Sequence, residues 1–275
     1  MDSMRGKIVV VTGASTGIGQ AAAEAFAREG ATVVLAARSE GRLVRIAADI
    51  EHAGGRAVPM AVDVTDRTAV FEKMKEVAES LGSIDVLVNN AGIGLLSPVV
   101  GMDPEELKRI FEVNFFGLIW CTQAALPYMI RQKRGRIVNI SSVAGKRALP
   151  HISAYCASKF AVQAFSDSLR METAEHGITV TVLCPPRVDT TFHDTPLMRQ
   201  KGQRMSAPSI SAEYVAAEIV RGTRKGSREV VVSFYGKFFV FFHWLSPRLL
   251  DFIMKRLWMR LAMKKTKKAG TEDQE

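Results

Sequence analysis

Seven short, unbroken apolar runs rich in β-branched residues mark the chain at 8–11, 32–37, 57–62, 84–88, 136–140, 178–183 and 229–233. Each is too short for a helix and lacks polar alternation, which predicts strands buried on both faces, as in a parallel sheet. Between them the apolar period changes. Val70, Phe71, Met74, Val77, Ala78 and Leu81 recur at helical spacing and place one apolar stripe against a sheet. Strand and helix in steady alternation predict an α/β fold: a doubly wound parallel sheet with helices on both faces, forming one domain over residues 1–235. Residues 189–211 break the pattern, and an irregular stretch of that length predicts a functional loop, here a lid over a site. Residues 236–268 form a separate extension, followed by a polar tail at 269–275.

The first strand runs into Thr12-Gly13-Ala14-Ser15-Thr16-Gly17-Ile18-Gly19, and an alanine-rich helix follows at 20–28. Glycines at this junction let the chain turn sharply and let a pyrophosphate approach backbone N–H groups at a helix N-terminus. The second strand ends in Ala37, Arg38 and Ser39, with no acid before Glu40. A carboxylate there would bind the ribose 2′-hydroxyl of NAD, whereas a cation suits the 2′-phosphate of NADP. The expected cofactor is therefore NADP(H), with Arg38 on the phosphate and Ser39 beside it. Farther on, Tyr155 and Lys159 fall four residues apart on a helix expected over 153–175, hence on one face. A free phenol ionises near pH 10, and an ammonium in a dry cleft is a source of the stabilisation that would lower it.

Together these segments resemble the short-chain dehydrogenase/reductases of the Y-x-x-x-K type. The resemblance covers about residues 5–235 and rests on Thr12 to Gly19, Asp63-Val64, Asn89-Asn90-Ala91-Gly92, Asn114, Ser141-Ser142, Tyr155 with Lys159, and Pro185-Pro186-Arg187-Val188-Asp189-Thr190, in the family's order and spacing. It implies a Rossmann-type sheet of order 3-2-1-4-5-6-7 and a catalytic group of Asn114, Ser142, Tyr155 and Lys159. In that scheme Tyr155 is the acid or base at the substrate oxygen, and Ser142 hydrogen-bonds the same oxygen. Lys159 holds the nicotinamide ribose and lowers the Tyr155 pKa, and Asn114 anchors a water. Cofactor contacts fall to Gly13, Ser15, Thr16, Gly17, Ile18 and Gly19, to Asp63 and Val64 at the adenine, to Asn90, Ala91 and Gly92 at the ribose, and to Pro185, Val188 and Thr190 at the carboxamide. Asn89 and Ser141 are expected as supporting residues. Asp85 is expected either to orient the turn after Asn89 or to lie solvated at a strand end. Where relatives carry Pro-Gly this chain has Pro185-Pro186, which stiffens the turn. The substrate wall, including Leu95, Leu96, Leu149, Phe192 and Leu197, reads as apolar.

Charge separates the extension from the body. The chain carries +9 in total, yet residues 237–268 alone hold nine Lys/Arg against one Asp. The rest of the chain, polar tail included, balances 28 Lys/Arg against 27 Asp/Glu and gives no sign of nucleic-acid binding. Residues 238–245 are apolar but far short of the twenty a spanning helix needs, and Pro247 separates them from a second segment. There Leu250, Ile253, Met254, Leu257, Trp258 and Leu261 recur at helical spacing before Lys264-Lys265-Thr266-Lys267-Lys268. An apolar face with a cationic end predicts a helix lying on an anionic membrane surface, so 238–268 is expected as a peripheral membrane contact. The alternatives are packing across a dimer or over the substrate cleft, and a nucleic-acid arm. The three cysteines form no pair motif, and the five histidines have no metal-ligand spacing. The expectation is thus a cytoplasmic, metal-free, membrane-peripheral homodimer or homotetramer interconverting a hydrophobic ketone or aldehyde and its alcohol. A soluble reductase of small polar substrates with an oligomerising tail is the alternative enzyme, and an NADP-sensing scaffold the non-catalytic one.

Overall fold

The computed structural model describes residues 3–194, 198 and 209–256. Seven parallel strands, β1 (Ile8–Thr12), β2 (Thr32–Ala37), β3 (Arg56–Ala61), β4 (Val86–Asn89), β5 (Gly135–Ile140), β6 (Ile178–Cys184) and β7 (Glu229–Val231), form one sheet in the order β3-β2-β1-β4-β5-β6-β7. The helices are α1 (Gly17–Arg28), α2 (Glu40–His52), α3 (Arg67–Leu81), α4 (Pro104–Phe111), α5 (Gly117–Gln132), α6 (Ser153–Glu172) and α7 (Ala212–Lys225). The expected sheet order is therefore the one found.

Residues pointing to opposite faces of a strand divide the core in two. Val9, Val11, Val33 and Leu35 pack with Phe26, Leu43, Val215 and Ile219 from α1, α2 and α7. Val10, Val34, Leu87 and Ile137 pack with Met74, Ala125, Met129 and Leu169 from α3, α5 and α6. Helix ends follow local chemistry. Asp66 caps α3 by accepting from the Ala69 N–H, and Gly82 closes it in the left-handed conformation. Ser211 caps α7 in the same manner, accepting from the Tyr214 N–H.

Three local features differ from the sequence reading. The helix expected to reach residue 175 ends at Glu172 and passes into a tight turn at Ala174–His176. The fourth strand begins at Val86 rather than at residue 84, because Asp85 is a clamp. Its carboxylate is 6% exposed and accepts from the Ile8 N–H at 3.0 Å, the Ser83 hydroxyl at 3.0 Å and the Lys7 ammonium at 3.2 Å. Asp85 is thus neither solvated nor near the turn after Asn89; it fastens the opposite edge of the sheet. Finally, α4 and α5 are one continuous helix, Pro104–Gln132, interrupted by a π-turn at Glu112–Phe116. This helix is long and apolar enough to cross a membrane, yet Leu118, Cys121, Ala125 and Met129 bury against the body of the protein.

The chain divides into two compact units, 1–233 and 234–275. In the second, α8 (Phe234–Leu245) is followed after Ser246 by α9 (247–256), which starts on Pro247, where a missing N–H costs nothing. Phe238, Phe241, Trp244, Leu249, Phe252 and Ile253 are exposed, and the Arg256 guanidinium lies 4.4 Å from the Phe252 ring centroid. Leu257, Trp258, Leu261 and the lysines at 264–268 lie outside the described residues, as do Leu197 and most of the expected lid.

Candidate functional site

At the carboxyl edge of the sheet the β1–α1 turn forms a cradle. Gly13 and Gly17 hold φ of 67° and 56°, in the left-handed region that glycine tolerates. A Cβ at Gly13 would stand 2.9 Å from the Ala91 backbone, and one at Gly17 would stand 3.0 Å from Thr190. Ser15, Thr16 and Ile18 complete the turn, with Ile18 partly buried against the core. Thr16 begins α1 without a side-chain cap, so first-turn N–H groups remain available for an anion.

Neighbouring segments complete the cradle. Thr12, which the sequence reading passed over, pins the β4 turn: its hydroxyl accepts from the Asn90 and Ala91 N–H groups, each at 3.0 Å, and donates to the Val88 carbonyl. The Asn90 amide donates in return to the Thr12 carbonyl at 3.0 Å. Asn89 supports the strand from behind, donating to Thr122 and Asn139. Arg38 and Ser39 are exposed at the end of β2, with the Arg38 guanidinium 3.9 Å from Asp63. Asp63 also accepts from the Thr65 N–H and hydroxyl, while Val64 is buried. Val188 is likewise buried, and the chain beside it is held by the Asp189 N–H to Ile210 carbonyl bond at 2.9 Å.

Ser142, Tyr155, Lys159 and Asn114 converge beside this cradle. The Tyr155 phenol lies beside Ser142, whose hydroxyl reaches the Pro185 carbonyl at 3.4 Å and accepts from the Ala144 N–H at 3.1 Å. Lys159 is buried and donates to the Ile140 carbonyl at 2.9 Å, with its ammonium 5.8 Å from the Tyr155 ring centroid. Ser141 braces the same helix by donating to the Lys159 carbonyl and accepting from Gln163. Gly92 is the point of close approach: a Cβ there would lie 3.2 Å from Asn114 Oδ1 and 3.5 Å from Lys159 Nζ.

One expected role needs revision. Burial pushes the Tyr155 phenol up to about 12, its bond with Ser142 pulling the other way, and no lowering by Lys159 is expressed. Burial also brings Lys159 down to about 8, so desolvation outweighs mutual stabilisation in this arrangement. The Asn114 side chain, moreover, is already engaged. Oδ1 accepts from the Ile93 N–H at 2.7 Å, and Nδ2 donates to the Ile93 carbonyl at 2.9 Å and to the Ser158 hydroxyl at 3.1 Å. Both Nδ2 hydrogens are thus spent, whereas Oδ1 keeps a second lone pair with which to hold a water.

The wall facing Tyr155 is apolar. The Phe192 ring centroid lies 6.0 Å from that of Tyr155. Phe192 and Met198 both close on Gly94, where a Cβ would meet Met198 Sδ at 2.5 Å. Leu95, Ile110 and Ala154 pack beneath, joined by Ile93, Phe111 and Tyr155. Leu149 is fixed through its N–H on Cys156 Sγ at 3.4 Å.

A doubly wound sheet with a glycine cradle at its carboxyl edge, beside a half-buried tyrosine and a buried serine and lysine, defines a dinucleotide-fold protein. The family profile for short chain dehydrogenases matches residues 7–201, and the chain belongs to that family. A dehydrogenase/reductase SDR family protein 7-like chain of Anopheles gambiae is 37% identical over 92% of this chain and 83% of its own length. A metagenomic short-chain oxidoreductase solved in complex with NADP is 33% identical, with a TM-score of 0.72 over 83% of this chain and 97% of that one. A Burkholderia phymatum short chain dehydrogenase/reductase solved with NAD is 26% identical, with a TM-score of 0.81 over 91% of this chain and 97% of that one.

Proposed function

We propose that this protein is an NADP(H)-dependent oxidoreductase that interconverts a hydrophobic ketone or aldehyde and its alcohol. The observation that carries the reading is Tyr155 set beside Ser142 and buried Lys159, with the Phe192 ring centroid 6.0 Å from its own. Relatives of this fold have been solved with either NADP or NAD, so the fold leaves the choice open. Arg38 and Ser39, exposed at the β2 edge with no acid between Ala37 and Glu40, favour the 2′-phosphate. The uncapped start of α1 and the positive-φ glycines suit the pyrophosphate.

A bound nicotinamide supplies or accepts the hydride. The chain does the rest. In reduction Tyr155 donates its proton to the carbonyl oxygen as charge develops there, and Ser142 hydrogen-bonds that same oxygen and fixes it. Lys159 and the backbone around Asn90, Ala91 and Gly92 hold the ribose, and Val188 and Thr190 meet the carboxamide. A phenol held protonated by burial suits the acid role in the reducing direction. Phe192, Met198 and Leu149 exclude water and select an apolar substrate, and residues 189–211 act as the lid. The exposed aromatic faces of α8 and α9, with the cationic residues that follow, support peripheral binding to a membrane, where such substrates partition. Exposed Phe116 and Phe160, on the π-turn and α6, support a homodimer or homotetramer.

NADPH fluorescence titration tests the cofactor, and turnover of apolar carbonyls tests the reaction. Tyr155→Phe should bind NADPH normally and lose about 10²- to 10⁴-fold in kcat. Unquenched NADPH fluorescence, or undiminished kcat in that variant, would overturn the reading.

A further inference from the structure

The sequence reading used Tyr155 and Lys159 and passed over the residue between them that makes the most consequential bond. Ser158 is fully buried on α6, three residues after Tyr155 and one before Lys159. Its hydroxyl donates to the Tyr155 carbonyl at 2.8 Å and accepts from Asn114 Nδ2 at 3.1 Å. These directions are forced, since a carbonyl only accepts and an amide nitrogen only donates.

The remaining polar atoms of Asn114 grip both backbone groups of Ile93. Ile93 in turn follows Gly92, whose Cα carries a space shared by Asn114 Oδ1 and Lys159 Nζ. Ser158 therefore ties the helix bearing Tyr155 and Lys159 to the loop on which the cofactor ribose would rest. The π-turn at Glu112–Phe116 belongs to the same device. One extra residue in an otherwise regular helix re-aims a side chain, and here the turn carries Asn114 to a depth of 1% exposure.

We propose that Ser158 is a positioning residue: through Asn114 and Ile93 its hydroxyl sets the distance between the Tyr155–Lys159 helix and the cofactor-facing loop. The proposal rests on the oxidoreductase reading above. Loss of the hydroxyl frees a buried amide N–H and releases the Ile93 loop. A shift of about 1 Å at a reacting centre costs on the order of a hundredfold in rate.

Thr and Val have nearly the same shape and differ in the hydroxyl, so the pair isolates it. Wild type, S158T, S158V, S158A, N114A and S158A/N114A are melted and then assayed with NADPH against decanal, benzil and cyclohexanone. S158V and S158A are expected to lose between about tenfold and a hundredfold in kcat. S158T should stay within about threefold of wild type, because it keeps both hydrogen bonds. The double variant should be no slower than N114A alone, because Ser158 acts through Asn114. A folded S158V with wild-type kcat overturns the proposal, as do single-variant losses that multiply. A chain that folds with Thr but with neither Ala nor Val assigns the hydroxyl to folding and also overturns it. Wild-type protein that oxidises NADPH with none of the three carbonyls removes the oxidoreductase reading and this proposal together. Normal wild-type turnover with an indifferent S158V removes this proposal alone.

Discussion

Lys159 is held at odds with its own solvation. Burial lowers its pKa from 10.5 to about 8, so at neutral pH the folded chain keeps an ammonium where water cannot reach it. The sign of the linkage follows. Between pH 8 and 10.5 the unfolded chain binds more protons at this residue than the folded one, and stability from this group rises with pH across that window. Lys159→Met should therefore melt higher than wild type at pH 7, with the gain shrinking as pH passes 8 and approaches 10.5, while turnover is lost. Thermal melts across this range check it, and a variant less stable than wild type at pH 7 would contradict it. Tyr155 works in the other direction. Its raised pKa makes the folded chain lose stability as pH climbs from 10 to about 12. At this scale the residues with diagnostic spacing, such as Tyr155 and Lys159, were legible in the sequence. Thr12 and Ser158 were not, because a hydroxyl's role depends on which neighbour the fold brings to it.

At the scale of elements, legibility followed hydrophobic continuity. All seven apolar runs became strands, since a run buried on both faces has few other places to go. Boundaries shifted where a polar residue did structural work. Asp85 is such a case, receiving a backbone N–H from β1 in addition to Ser83 and Lys7. Asp85→Ala strands the buried Ile8 N–H and should cost about 1–3 kcal/mol of stability. The site lies at the other edge of the sheet, so kcat should change by less than about twofold while the denaturation midpoint falls. A large kcat loss with unchanged stability would restore the reading of Asp85 as a turn-orienting residue. The π-turn was invisible in sequence for a different reason: it slips the apolar stripe by one residue, and the eight residues of α4 before it are too few turns to set the phase against which that slip would show.

At the scale of the whole molecule, charge and apolar exposure are partitioned. Within the second unit, residues 237–268 concentrate nine Lys/Arg against one Asp, and its helices expose Phe238, Phe241, Trp244, Leu249 and Phe252. Aromatic faces combined with cationic residues bind anionic lipid through both burial and charge. Full-length protein should co-sediment with vesicles containing phosphatidylserine, retain part of that binding at high salt, and lose it when truncated after Ser233. Equal sedimentation of both forms would place any lipid contact elsewhere, and sedimentation of neither would favour a subunit contact for the extension.

The rung joining Val188 and Ile210 gives the body a further property. Beyond the end of β6 at Cys184 the chain pairs once more, the Asp189 N–H donating to the Ile210 carbonyl and the Ile210 N–H to the Arg187 carbonyl, so both ends of the intervening segment are held. Closing a loop of twice the length costs only about 0.6 kcal/mol more. Changes of length between Asp189 and Ile210 therefore cost the scaffold little closure entropy, while Ser142, Tyr155 and Lys159 are placed by other elements.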